Sequence, residues 1–112
     1  MSLSAQEISR GRENANIGTE LVLETDAMRI WHLRLQPGET APPHRHDRPY
    51  FWTIVTGGTA LSRSDNGEEV AVTYRAGDTK HFPDLTHDNG FVHDLTNVGE
   101  TELVFVTVEF VG

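Results

Sequence analysis

From Glu20 onward the chain is cut into short runs rich in β-branched and aromatic residues, each stopped by Gly, Pro, Asn or Asp. That rhythm points to an all-β domain, since runs of this length suit strands and the stops are the residues that turns need. The candidate strands are residues 20–24, 27–35, 50–56, 59–63, 68–74, 79–82, 91–95 and 102–110. Asn66-Gly67 is the strongest hairpin signal and predicts a type I′ turn, with positive φ at both central residues. Gly38 and Gly77 read as corner residues. There is no internal repeat, no low-complexity tract and no long amphipathic helix. About eight strands with tight connections suit a closed barrel or a double-sheet jelly roll.

With 112 residues the chain is one domain's worth, enough for a single small core. Residues 1–18 are polar and read as a partly flexible arm with a weak helical tendency over residues 4–10, leaving 19–112 for the barrel. The net charge is −8 and the nine Lys and Arg residues are scattered, which argues against nucleic acid and anionic membranes as partners. There is no cysteine, so a metal site must use nitrogen and oxygen ligands. The first residues lack a basic start followed by an apolar run, and no apolar stretch is long enough to span a bilayer. A soluble, cytoplasmic protein is expected.

His44 and His46 are separated by one residue. On a strand, residues i and i+2 project from the same face, about 6.6 Å apart. Two imidazoles can close that span onto one ion at metal–nitrogen distances of about 2.0–2.1 Å. A third ligand must come from elsewhere, and His93, four residues before Asn97, is the candidate, with His87 its rival. Isolated histidines are more often surface or hydrogen-bonded structural groups, so the pattern carries the argument and no single residue does.

These residues resemble the cupin family. Its first motif, G-x5-H-x-H-x3/4-E-x6-G, is matched by Gly38, His44, His46, Tyr50 in the glutamate's place, and Gly57. Its second, G-x5-P-x-G-x2-H-x3-N, is matched by Gly77, Pro83, Gly90, His93 and Asn97, with an insertion that carries His87 and Asp88. The resemblance implies a cupin double-stranded β-helix, the RmlC-like jelly-roll barrel, with His44, His46 and His93 converging on a divalent transition metal: Fe, Zn, Ni or Mn. Three protein ligands leave positions open for water and substrate, and neutral imidazoles leave the ion's charge uncompensated, which favours an anionic ligand. Relatives lacking the glutamate include three-histidine oxygenases acting on thiols and β-diketones. Two functional classes follow from the resemblance: a metal-dependent enzyme, dioxygenase-like or a lyase/isomerase acting on a small anionic metabolite, and a non-catalytic small-molecule-binding cupin with weak or no metal.

Several further residues carry expectations. Strand parity places Tyr50 and Trp52 on the side of His44 and His46, lining the cavity. His32 lies on the less apolar face of its strand and is expected to join them or to face solvent. His81 reads as structural. Arg45 has outward parity, and Asp47 occupies a bend and is the alternative source of the missing carboxylate. In the last strand Val104, Val106, Val108 and Phe110 form one apolar face, while Leu103 and Phe105 make the other apolar too. A second surface is expected to cover it, either a partner subunit in a homodimer or the N-terminal segment of the same chain.

Overall fold

The structure, a computed structural model, describes residues 2–112. Helix α1 (Ala5–Arg12) is followed by β1 (Glu20–Glu24), β2 (Met28–Leu35), β3 (Thr40–His46), β4 (Tyr50–Thr56), β5 (Gly58–Ser64), β6 (Glu69–Tyr74), β7 (Thr79–Phe82), β8 (Phe91–Asn97) and β9 (Leu103–Phe110). The strands form a five-stranded sheet, β1-β2-β9-β4-β7, and a four-stranded sheet, β3-β8-β5-β6. Each pairing is antiparallel. The two sheets close an all-β barrel around one core.

Alternation decides which residues fill that core. On β2, Trp31, Leu33 and Leu35 are buried while Arg34 is exposed. Leu33 and Leu35 meet Ile54, Leu103 and Phe105 of their own sheet and Ala41, Ala60 and Leu95 of the facing one. Each large apolar side chain buried there contributes about 1.5–3 kcal/mol.

Three expectations are corrected here. On β9 the apolar faces are the reverse of the surface reading: Leu103 and Phe105 lie in the barrel core at 0% and 4% exposure, whereas Val106 and Val108 are half-buried and Phe110 is exposed. With both faces apolar, hydrophobicity alone does not tell inside from outside. The Asn66-Gly67 turn is not type I′, because among the described residues no non-glycine residue has positive φ. Within this turn only Gly67 does, at φ 87°, and Gly67 N donates to Ser64 O while Ser64 N donates to Glu68 O. This is a type I turn followed by a left-handed glycine, the other common hairpin solution. Finally, β3 is a strand despite Pro42 and Pro43. It lies at the edge of its sheet and its register with β8 shifts between Ala41 and His44, so the missing N–H groups cost no ladder hydrogen bonds.

The N-terminal residues form more than an arm. Ser4 caps α1 in a reciprocal capping box with Glu7, which satisfies two otherwise unpaired helix donors. The helix lies across β3 and β8, with Gly11 buried so closely against Val92 and Pro43 that a side chain has no room. Asn14 then clamps β3: its carbonyl accepts from Arg45 N at 2.9 Å and its side-chain amide donates to Pro43 O at 3.1 Å. Leu3 and Ile17 are buried. Among the described residues, no helix is long and apolar enough to cross a membrane.

Arg63 ties helix to barrel. Its guanidinium donates to Asp94 Oδ2 at 2.6 Å and to Glu7 Oε2 at 2.8 Å, and its backbone N–H reaches Asp94 Oδ1 at 3.0 Å. Asp94 is only 1% exposed, so this arginine is its charge compensation. Hydrogen bonding to Asp94 raises the Arg63 pKa, and the bonds from the Ser4 backbone and from Arg63 lower that of Glu7. Arg63→Ala is expected to destabilise the fold by about 3 kcal/mol, because it strands a buried carboxylate. Arg63→Lys should recover only part of that, lacking the planar fork. Urea unfolding midpoints check both.

Candidate metal centre

The β3–β8 register builds the site. His44 pairs directly with His93, so their side chains leave the sheet on the same face, and His46 lies two residues along from His44. The three Nε2 atoms meet inside the barrel: His44 Nε2 lies 3.1 Å from His46 Nε2, which lies 3.1 Å from His93 Nε2. Among the described residues this is the only cluster of its kind, all its ligand atoms lying within 4.8 Å of one another.

The outward nitrogens orient the rings. His44 Nδ1 donates to Pro42 O at 2.8 Å, which leaves Nε2 as a bare lone pair. His93 Nδ1 lies 3.3 Å from Ser62 Oγ, placed to give up its proton there. Burial pushes all three pKa values down. For His44 the nearby Pro42 carbonyl and Asp94 charge partly oppose the shift, whereas for His46 and His93 the neighbouring imidazoles add to it and the lowering is large. The cluster is therefore neutral at pH 7. With Nδ1 of His44 protonated, its Nε2 lone pair faces the other two ring nitrogens.

That arrangement fits a cation. Nitrogens about 2.0–2.1 Å from one ion, at angles of roughly 90–110°, lie about 2.9–3.4 Å apart, and the His44–His46 and His46–His93 separations fall in that range. Hydrogen bonds on the far side of ligating imidazoles are what metal sites use to fix ring orientation. The residues present fit a divalent transition metal.

Around the cluster lies a cavity of about 250 Å³. Tyr50 and Trp52 line it. The Tyr50 ring stacks on His46 at 4.2 Å, with Phe82 stacked on its other side at 4.5 Å. Burial pushes the Tyr50 phenol pKa well up, with Tyr74 adding to the shift, so it stays protonated. No Asp or Glu is among the lining residues. Glu109 shares the inward parity of Phe105 and Thr107, but it sits at the end of β9 beside Arg29, 3.6 Å away, and does not line the cavity.

Other candidates lie elsewhere. His32 does not line the cavity: it faces away from Leu33 and Trp31 on β2, with Nδ1 4.0 Å from Glu20. Alternation requires this, since its strand neighbours fill the core. His87 is 86% exposed in the insertion and lies 3.4 Å from Asp47. Asp47 also receives Arg45 at 3.4 Å, and Arg45 reaches the His87 carbonyl, so these residues pin the insertion to β3 and offer no ligand. Sequence reasoning missed Ser62, Lys80, Phe82 and Phe91 as cavity residues, because each is brought in by a long-range strand pairing. Parity on β7 carried a signal for Lys80 and Phe82 together.

An all-β barrel whose cavity holds three convergent imidazoles defines a class of small metal-site barrels. The chain belongs to the cupins: the family model described as "Cupin domain" matches residues 31–109. Among solved structures, a cupin domain from Bordetella pertussis is similar at 25% identity and TM-score 0.69, covering 87% of this chain and 94% of that one. A conserved protein with a double-stranded β-helix domain from Klebsiella pneumoniae is 25% identical at TM-score 0.63, covering 94% and 87%. A predicted oxalate decarboxylase from Thermotoga maritima is 26% identical at TM-score 0.54, covering 76% and 67%. No curated protein matches the sequence. The architecture is the cupin double-stranded β-helix.

The lowered histidine pKa values set the pH response of the metal-free protein. In the unfolded chain each imidazole protonates near pH 6.5, whereas in the fold it resists protonation, so the unfolded state binds more protons below that pH. Stability is expected to be fully present above pH 6.5 and lost as pH falls, by up to about 1.4 kcal/mol per histidine per pH unit until the folded values are reached. Urea titrations at pH 7.5 and pH 5.5 check this. The slope should shrink in His46→Gln, and an unchanged slope would contradict the assignment.

Proposed function

We propose that this chain is a metal-dependent cupin in which His44, His46 and His93 hold one divalent transition metal, Fe, Zn, Ni or Mn, and the cavity receives a small anionic metabolite. The observation that carries the reading is the convergence of three neutral imidazole nitrogens, with His46 Nε2 3.1 Å from each of the other two. Three ligands leave positions free for a bound molecule, and no protein carboxylate offsets the ion's charge. When bound, the ion supplies Lewis-acid polarisation, or the site of O₂ activation if it is iron. The chain's own residues do the rest: His44 and His93 are held in orientation by Pro42 and Ser62, Tyr50 and Phe82 fix the plane of His46, and the apolar walls exclude water. An oxygenase or a lyase/isomerase is the activity this best supports. The Thermotoga protein's description as a predicted oxalate decarboxylase fits a small carboxylate as ligand.

One observation favours a second reading, a non-catalytic small-molecule-binding cupin. With no carboxylate among the lining residues and the Tyr50 phenol held protonated, the cavity has no obvious general base. For assembly, we propose a homodimer through the outer face of the five-stranded sheet, where Ile30, Val108 and Phe51 lie in one cross-strand row with Phe110 nearby.

Elemental analysis tests the main reading. About one metal ion per chain is expected, and zinc at a hundredfold excess over its Kd should stabilise the fold by about 2.7 kcal/mol. His46→Ala should lose both the ion and the stabilisation. A protein that retains no metal, and whose melting temperature ignores divalent ions, would sink the proposal. Turnover that depends on Fe(II) or O₂ separates the enzyme from the binding module.

A further inference from the structure

Lys80 is the only lysine in the chain, and it lines the cavity. It pairs directly with Trp52 on β4, just as Phe82 pairs with Tyr50. Lys80 therefore stands on the cavity side of β7, two residues from the aromatic stack that leads to His46. Its ammonium lies 5.0 Å from the centre of the Phe82 ring. The residue is exposed, which puts it at the open end of the cavity, while His44 and His46 are buried within.

Among the described residues, no carboxylate lies within ion-pair distance of Lys80, in contrast to Arg29, Arg45 and Arg63. Lys80 is also the one Lys or Arg among the residues that line the cavity. An acid-free cavity, neutral imidazoles inside and one free ammonium at the mouth make a field that draws in anions. The walls between are aromatic and aliphatic. The volume, about 250 Å³, matches roughly eight waters' share of liquid.

We propose that Lys80 anchors the carboxylate of a small amphipathic monocarboxylate, whose aromatic or branched apolar body lies along Phe82, Tyr50 and Trp52 with its far end toward the three histidines. Phe82 then has two functions: it holds the ammonium over its face and gives the ligand's body a stacking surface. This makes Lys80 the specificity-determining residue of the site. The inference deepens the reading of the cavity as a small-anion site, and its test separates the two.

Phenylacetate and its neutral isostere phenylacetamide are the probes, titrated by calorimetry into metal-free and zinc-loaded protein. Phenylacetate should bind more tightly than the amide by about fivefold or more, the size of a partly exposed ion pair. Lys80→Gln should remove that preference, while Lys80→Arg should keep it. Because there is only one lysine, reductive ¹³C-methylation gives one side-chain resonance, expected to move with phenylacetate and not with the amide. A carboxylate preference unchanged in Lys80→Gln, a preference seen only with zinc and insensitive to Lys80, or failure of both probes to bind the wild type would overturn the proposal. Zinc failing to bind, with the Lys80-dependent preference intact, would overturn the metal reading and leave this one standing.

Discussion

The pairing of β3 with β8 is the constraint on which the site depends. It sets His44 opposite His93, and everything the cavity can do follows from that register. A slip of one residue would turn His93 to the other face of the sheet and replace it with Val92 or Asp94. Yet β3 is a poor strand by composition, an edge strand with two consecutive prolines. Its position is secured from outside the ladder: Asn14 grips the backbone at Pro43 and Arg45, and α1 covers the face where Gly11 meets Pro43 and Val92. Pro42 also contributes, because its carbonyl accepts the hydrogen bond from His44 Nδ1. Features that weaken the strand therefore orient the ligand.

The helix and the cluster are linked by charge as well as packing. Asp94 follows His93 on β8, faces away from the cavity and is held by Arg63, which also binds Glu7 of α1. Motif residue and N-terminal helix thus share one buried network, and its carboxylate is close enough to act on His44. Asn97, fully buried at the end of the same strand, donates to Leu35 O and Thr101 O and accepts from Gly99 N. β8 is fixed at both ends of the histidine by hydrogen bonds that no apolar residue could make.

The sequence was most legible where one local rule acts alone. Period-two alternation and turn residues located β1, β2, β4 to β9 within a residue or two, and the spacing of His44, His46 and His93 pointed to a common site before any geometry was known. It was less legible where two rules compete. Residues 40–46 show no alternation of their own around Pro42 and Pro43, and the strand is tolerated because β3 lies at a sheet edge. The two apolar faces of β9 hid which one faces the core, and only the pairing with β2 and β4 resolves it. His32 was drawn toward the cavity by its chemistry, although Trp31 and Leu33 already occupied the inner face. Helix α1 showed only as a weak tendency over residues 4–10, since most of its contacts are to β3 and β8, far along the chain.

Electrostatics also explains why the cavity remains acid-free in so acidic a protein. The three imidazoles stay neutral because burial outweighs the one opposing charge, that of Asp94 on His44, and a carboxylate inside the cavity within about 4–6 Å would raise their pKa values and fill the site with protons. Here the adjacent Asp94 faces away and spends its charge on Arg63, Glu109 is kept at the end of β9 by Arg29, and Tyr50 presents an uncharged ring to His46. The result is a set of lone pairs free at neutral pH, walled by aromatics, with its one unpaired cation at the entrance. Negative charge in this cavity must therefore come from whatever enters it, and the one Lys or Arg among the lining residues that can hold such a charge is Lys80.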